Sequence, residues 1–278
     1  MMKIQLKQVM LLFLLVLFTT GMAHAAPTTS VYLAKIASDQ TTILYDTTID
    51  YQWMEENLPV LGDGERRYYH QGPVFEGDKW DPKETTNFKD RGAVKGTDVK
   101  DLCNLVGGAE PGDDIMIRAT DGYHVVYPYP NVYTPNPRQG SIGICWYNGA
   151  DSGPGERQGT GYVPDYYMGM RVVFFADTSS NAEGLHVYGN YDMHETLPGS
   201  AQHFYDLYPS TSGLSIKWVD EVRVYQGGFT GDRGSLASSL IEKPVPKAAT
   251  PVPTETPLST IVVIGGVSIG VLIALRRT

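Results

Sequence analysis

The apolar positions of this chain alternate more often than they recur at helical spacing, and glycine and proline break them into short runs. Residues 31–38 (VYLAKIAS) and 42–50 are rich in β-branched and aromatic side chains and predict strands. Residues 51–58 (YQWMEENL) predict one or two helical turns ahead of Pro59. From 62 to 92 the chain reads as a long loop, interrupted by Gly62, Gly64, Gly72, Pro73, Gly77 and Pro82, with Tyr68, Tyr69, Phe75 and Trp80 as the side chains that would pack it.

The clearest helix is predicted over 97–107. Thr97 is a candidate N-cap, Val99, Leu102, Cys103 and Val106 share one face, and Gly107-Gly108 stops it. DIMIRA at 114–119 alternates like a half-buried strand, Asp121-Gly122 predicts a turn, and 124–129 returns. Further strands are predicted at 141–147, 170–176, 185–189 and 214–225. In the last, Leu214, Ile216 and Trp218 precede Val222 and Val224, which implies two apolar faces separated by a kink or bulge. The class is a β-rich α+β domain, with the helix at 97–107 laid on a sheet holding 114–119, 124–129, 170–176 and 214–225.

The two ends follow other rules. Lys3 and Lys7 precede an apolar run from Val9 to Phe18, and Ala23-His24-Ala25 offers small residues for cleavage, so 1–25 reads as an export signal too short to span a bilayer. Residues 231–257 end in a proline- and threonine-rich stretch, KPVPKAATPVPTETP, which cannot build a core and reads as a stalk. Residues 258–275 carry no charge and as a helix would reach roughly 27 Å, enough for a hydrocarbon core. Arg276-Arg277 in the short tail 276–278 mark the cytoplasmic side, which puts the domain at 26–230 outside. The tail is either a permanent anchor or a sorting signal that is removed. The expectation is a single-pass protein of the cell surface.

Charge narrows the partners. The chain carries 22 basic and 31 acidic residues, net −9. The exported part has 18 basic and 31 acidic residues, net −13, since the terminal segments hold only basic ones. That surface disfavours nucleic acid. Arg66-Arg67 is the one basic cluster visible in the exported sequence. Membrane attachment and contact with other envelope proteins or glycans are the partners it leaves. Cys103 and Cys145 are either one disulfide or two separate buried thiols.

Taken together, KGTDVKDLCNLVGG, GDDIMIRATDGYHVVYPYPNV, MRVVFFAD and LSIKWVDEVRVY resemble the molybdopterin-binding domain of the sulfite oxidase type, over 95–225 with insertions. The chain also resembles surface proteins of methanogenic archaea that carry such a domain between a signal peptide and a membrane tail. The resemblance implies that fold. Its enzymes ligate molybdenum through a cysteine well before the helix, and residues 26–102 contain none. The arginine and histidine that hold the pterin phosphate in that family have no evident match. The resemblance therefore argues for the architecture and against molybdenum catalysis.

Two further sets of residues carry chemistry. His70, His186 and His194, with Asp192 and Glu195 beside the last two, form a candidate transition-metal site or else three unrelated polar histidines. Tyr68, Tyr69, Trp80, Tyr162, Tyr166 and Tyr167 are candidate contacts for a sugar or partner protein, or else packing for the long loops. No phosphate-binding loop, dinucleotide fingerprint or serine–histidine–aspartate order is present. The functional expectation is a non-catalytic envelope protein, binding or structural, with no cofactor predicted. The alternative is a metal-binding redox protein or a molybdopterin oxidoreductase of the cell surface.

Overall fold

A computed structural model describes residues 27–153, 155–178 and 180–231; the expected signal, most of the stalk and the expected membrane segment lie outside them. The chain runs β1 (Ser30–Ile36), β2 (Ile43–Asp50), α1 (Tyr51–Asn57), β3 (Val60–Leu61), β4 (Tyr68–Gln71), β5 (Phe88–Asp90), β6 (Val94–Asp98), α2 (Val99–Asn104), β7 (Asp114–Ala119) and β8 (His124–Pro128). It continues through α3 (Tyr129–Tyr133), β9 (Ser141–Asn148), β10 (Gly161–Tyr162), β11 (Arg171–Phe175), β12 (His186–Tyr188), α4 (Asn190–Thr196), β13 (Phe204–Tyr205), β14 (Tyr208–Pro209) and β15 (Val219–Tyr225). The domain is β-rich α+β, as the alternation predicts.

The first sheet has the order β2-β1-β15-β7-β8, antiparallel except that β1 and β15 run parallel. Period-two alternation divides its side chains between two clusters. Val31 and Leu33, Ile115 and Ile117, and Val125 and Tyr127 enter the main core. Ala34, Ile36, Met116 and Val126 face the other way onto Tyr225 and Phe229. The second sheet is built on β9, with β6 along one edge and β11 and β10 sharing the other. A third, small sheet has the order β12-β4-β5.

Helix α2 lies between the first two sheets, packed on β1 and β15 of one and β6 and β9 of the other. It is shorter than the periodicity of 97–107 predicts. Thr97 and Asp98 pair with Ile144 and Gly143 as the end of β6, so the cap is Asp98, whose Oδ1 accepts from Lys100 N at 2.9 Å. Gly107 and Gly108 end the helix at φ +93° and +67°, where a side chain would be strained.

Three other expectations change. The strand at 170–176 is β11, and it pairs with β9 in the second sheet, not with the 114–119 strand. All five of its side chains are buried, so its sequence has no polar face to say which sheet it joins. The 62–92 stretch is not all loop, since it supplies β4 and β5. The strand predicted over 214–225 begins only at Val219, after a 3-10 turn at Thr211–Leu214, and carries its irregularity between Val219 and Glu221.

Candidate functional site

The predicted metal residues do not converge. His70 is fully buried in β4; its Nδ1–H donates to the Thr211 carbonyl at 3.0 Å and its Nε2 accepts from Phe174 N at 3.4 Å. Burial, with Arg91 next, holds its pKa well below the usual histidine value. Both nitrogens of this neutral ring are used. His186 Nδ1 donates to the Ala176 carbonyl at 3.0 Å, and His194 is exposed beside Glu195 with its ring 4.8 Å from Trp80. Among the described residues no group of three or more histidine, cysteine or acidic side chains is placed to hold a metal. Cys103 and Cys145 are both buried and both free, so they are separate thiols and not a disulfide.

The candidate aromatic contacts scatter in the same way. Tyr68 and Tyr166 are core residues, 1 % and 0 % exposed, and offer no ring face to a ligand. The Tyr68 hydroxyl is spent on Asp177. Tyr69 packs beside Phe88, and Tyr162 stacks on Trp146 and donates to Glu55 at 2.9 Å. Tyr167 is exposed, and its carbonyl accepts from Trp218 Nε1 at 2.8 Å. Trp80 is half-buried on the far loop.

A different set does converge. Arg171 opens β11 opposite Cys145 of β9 and is 6 % exposed. Its Nε donates to the Ser215 hydroxyl at 2.7 Å and its Nη1 to Gln158 Oε1 at 2.7 Å. Ser215 passes its own proton to the Val172 carbonyl at 2.7 Å, so the hydroxyl is held as an acceptor. Arg91, also 6 % exposed, reaches the same turn from behind, its Nη2 on the Ser212 hydroxyl at 2.6 Å, while its Nε is buried without a hydrogen-bond partner. Lys217 completes the group. It precedes Trp218, which sits at φ +54°, a strained conformation for a bulky aromatic residue. A cleft of about 400 Å³ lies here, lined by Arg171, Ser212, Ser215 and Lys217, with Asp121 and Tyr123 on its other side.

Basic groups outnumber acidic ones at this cleft, which Asp121 also lines. Among the described residues no ion pair includes Arg91, Arg171 or Lys217. Burial and then the neighbouring Arg171 push Arg91 well below the ordinary arginine value. Burial, then Arg171 and Arg91, lower Lys217, with Asp121 opposing. Arg171 thus acts on Arg91 and both act on the exposed Lys217, while the charges of Asp90, Glu156 and Asp121 oppose them from beyond ion-pair distance; burying two guanidinium groups without an ion pair is costly. Arg66 and Arg67, the cluster evident in the sequence, are instead paired with Asp177 at 3.1 Å and Asp90 at 2.6 Å. The sequence-level statement that basic groups cluster only there is corrected. Arg171 and Lys217 stand in two of the segments that carry the sulfite oxidase-type resemblance, MRVVFFAD and LSIKWVDEVRVY, which is the signal that could have found them. Arg91 had none.

Across Tyr123, whose hydroxyl donates to the Gly213 carbonyl at 3.1 Å, lies a smaller cleft of about 210 Å³ lined by His124, His203 and Leu214. Burial lowers the His203 pKa, opposed by the hydrogen bond that its Nδ1–H donates to the Ser210 carbonyl at 3.2 Å.

Sequence reasoning also missed a buried acid pair. Glu84 is 3 % exposed and accepts from Asp192 N at 3.0 Å, and Asp192 pairs with Arg138. Burial, then the Asp192 charge, raise Glu84 to about 8.

Compared with protein-family models, curated proteins and solved structures, the chain matches none. Among the described residues no helix is long and apolar enough to cross a membrane, and 258–275 lies outside them.

The cofactor implied by the resemblance can be tested against the side chains present. Arg91, Arg171 and Lys217 would suit a phosphate. The metal is another matter. Cys103 is 1 % exposed in α2 and Cys145 is 0 % exposed in β9. Burial pushes both thiols up, with Asp98 adding to it at Cys103 and Arg171 opposing it at Cys145. Neither offers the exposed thiolate that a soft-metal centre takes. The residues do not fit molybdenum.

Proposed function

We propose that this chain is an exported, membrane-tethered, non-catalytic binding protein whose outer domain holds a small anionic ligand between Arg171, Lys217 and Ser212, with Arg91 behind them. One observation carries the reading: Arg171 and Lys217 line one cleft of an acidic domain, Arg91 donates to the Ser212 hydroxyl in its wall, and among the described residues none of the three cations is in an ion pair. Ser212 accepts from Arg91, which leaves its own proton for the ligand. The side of the cleft that these groups make is thus rich in donors and suits a deprotonated carboxylate or an oxyanion. Export rests on the three-part N-terminal pattern, and the anchor on the uncharged run 258–275.

The finer architecture we read as that of the sulfite oxidase type. Its support is the order of helix α2, the Asp121-Gly122 turn, the Arg171 strand and the Lys217-Trp218 segment. The same cations favour a second reading, a molybdopterin oxidoreductase, because they would suit the pterin phosphate. The buried thiols weigh against it.

The test is thermal unfolding of the full-length protein with sulfate, inorganic phosphate, acetate or citrate, each against chloride at equal ionic strength. At a hundredfold excess over Kd a bound anion adds about 2.7 kcal/mol, which raises Tm by roughly 5–10 °C for a domain of this size. Lys217→Gln should abolish the gain. Equal Tm with every anion would overturn the anion reading. Stoichiometric molybdenum in protein purified from its native host would overturn the non-catalytic one.

A further inference from the structure

Outside the cationic cleft, the β13–β14 hairpin and the loop beside it leave large apolar side chains exposed. Phe75 is 58 %, Tyr205 62 % and Leu207 73 % exposed. Phe75 and Tyr205 share one ring cluster with Tyr208, and Trp80 pairs separately with Phe204. The Phe75 centroid lies 4.9 Å from Tyr208 and 6.4 Å from Tyr205, and Trp80 lies 6.1 Å from Phe204. Lys79 ties loop to hairpin, its Nζ donating to the Leu207 carbonyl at 3.2 Å. Exposed apolar side chains clustered in this way mark an interaction site.

The rim says what covers it. Glu76 and Asp78 are exposed next to Phe75 and Lys79 in the chain, Glu195 is exposed beside His194, whose ring meets Trp80, and Asp206 is exposed at the hairpin tip with φ +55°. Lys79 and His194 are the basic residues among them. A second copy of this chain would bring acidic rim against acidic rim, and an anionic lipid surface would be repelled. Cations are attracted twice, by the carboxylates and by the negative faces of the rings. We propose that this surface docks a lysine- or arginine-bearing segment of another protein, with the cationic heads over Phe75 and Tyr205 and the aliphatic stems along Leu207.

Titration of full-length protein in neutral detergent with nona-arginine and nona-lysine peptides, at physiological salt, tests this. Replacing Phe75, Tyr205 and Leu207 together by serine leaves the formal charge unchanged, and these exposed side chains leave the core intact. The expected result is saturable peptide binding that the triple variant weakens at least about tenfold. A second variant, Glu76→Gln with Asp206→Asn, should weaken it as well and flatten its salt dependence. Undiminished binding by the triple variant would mean that diffuse charge alone attracts the peptides, and the proposal fails. It fails equally if neither peptide binds, if a neutral oligosaccharide such as maltohexaose binds these rings in their place, or if the protein self-associates through them.

Discussion

Arg171 donates through Nε to the Ser215 hydroxyl at 2.7 Å, and that bond joins the start of β11 to the turn that carries Lys217. Arg91 meets the same turn at Ser212, 2.6 Å away. Two buried guanidinium groups are thus each held by a serine of this turn, Arg171 by Gln158 as well, and Arg91 Nε is left without a hydrogen-bond partner.

The cleft should be strained when no anion is present. Removing one of its like charges then helps the free protein: Lys217→Gln should raise Tm by about 1–3 °C in chloride buffer. Differential scanning calorimetry checks it, and an unchanged or lower Tm contradicts the mutual repulsion of the three cations.

Glu84 makes a pH prediction whose sign can be worked out. In the unfolded chain this carboxyl loses its proton near its ordinary value of 4.5, and in the folded domain only near about 8. Between those values the folded state binds more protons, so stability falls as pH rises through that window. Wild-type Tm should drop between pH 5 and 8 more steeply than that of Glu84→Gln, which cannot ionise. Parallel profiles would rule out Glu84 as the source.

Cys103 and Cys145 should behave as packing groups. Serine at Cys103 puts a hydroxyl in an apolar site and should cost about 1–3 kcal/mol, whereas alanine leaves no unpaired polar atom. Both thiols should react with Ellman's reagent only on unfolding, at two per chain. Fast reaction of native protein, or no thiol titre after denaturation without reductant, contradicts that placement.

Trp146 Nε1 donates to Thr97 Oγ1 at 3.1 Å inside the second sheet. Trp146→Phe breaks this bond and leaves a buried gap, and chemical denaturation should register a loss of roughly 2–3 kcal/mol. A loss below about 0.5 kcal/mol would mean that the ring is not packed as described.

For topology, protease added to intact cells should digest the domain, which we propose lies outside, and spare the segment near 258–275. Protection until lysis would reverse the assignment.

Much of the fold was legible. β-Branched and aromatic content located β1 and β2, alternation located β7, and the turn at Asp121-Gly122 located the returning β8, because each is a local signal of the sequence. The N-terminal pattern and the uncharged run at 258–275 are likewise local signals, and lie outside the described residues. Partnership was not legible. β11 is apolar on both faces, so only its register against β9 decides which sheet it joins. β4 and β5 are short strands in a glycine- and proline-rich stretch, and pairing with β12 and with each other is what makes them strands. The site follows the same division. Arg66-Arg67 looked like the basic cluster because its members are neighbours in sequence, yet Asp177 and Asp90 neutralise them across long separations. Arg91, Arg171 and Lys217 are far apart in sequence and meet only where β5, β11 and the turn before β15 come together. Sequence periodicity reports whether a residue is buried; whether a buried charge finds a counter-charge depends on what folds against it, and that is a property of the tertiary structure alone.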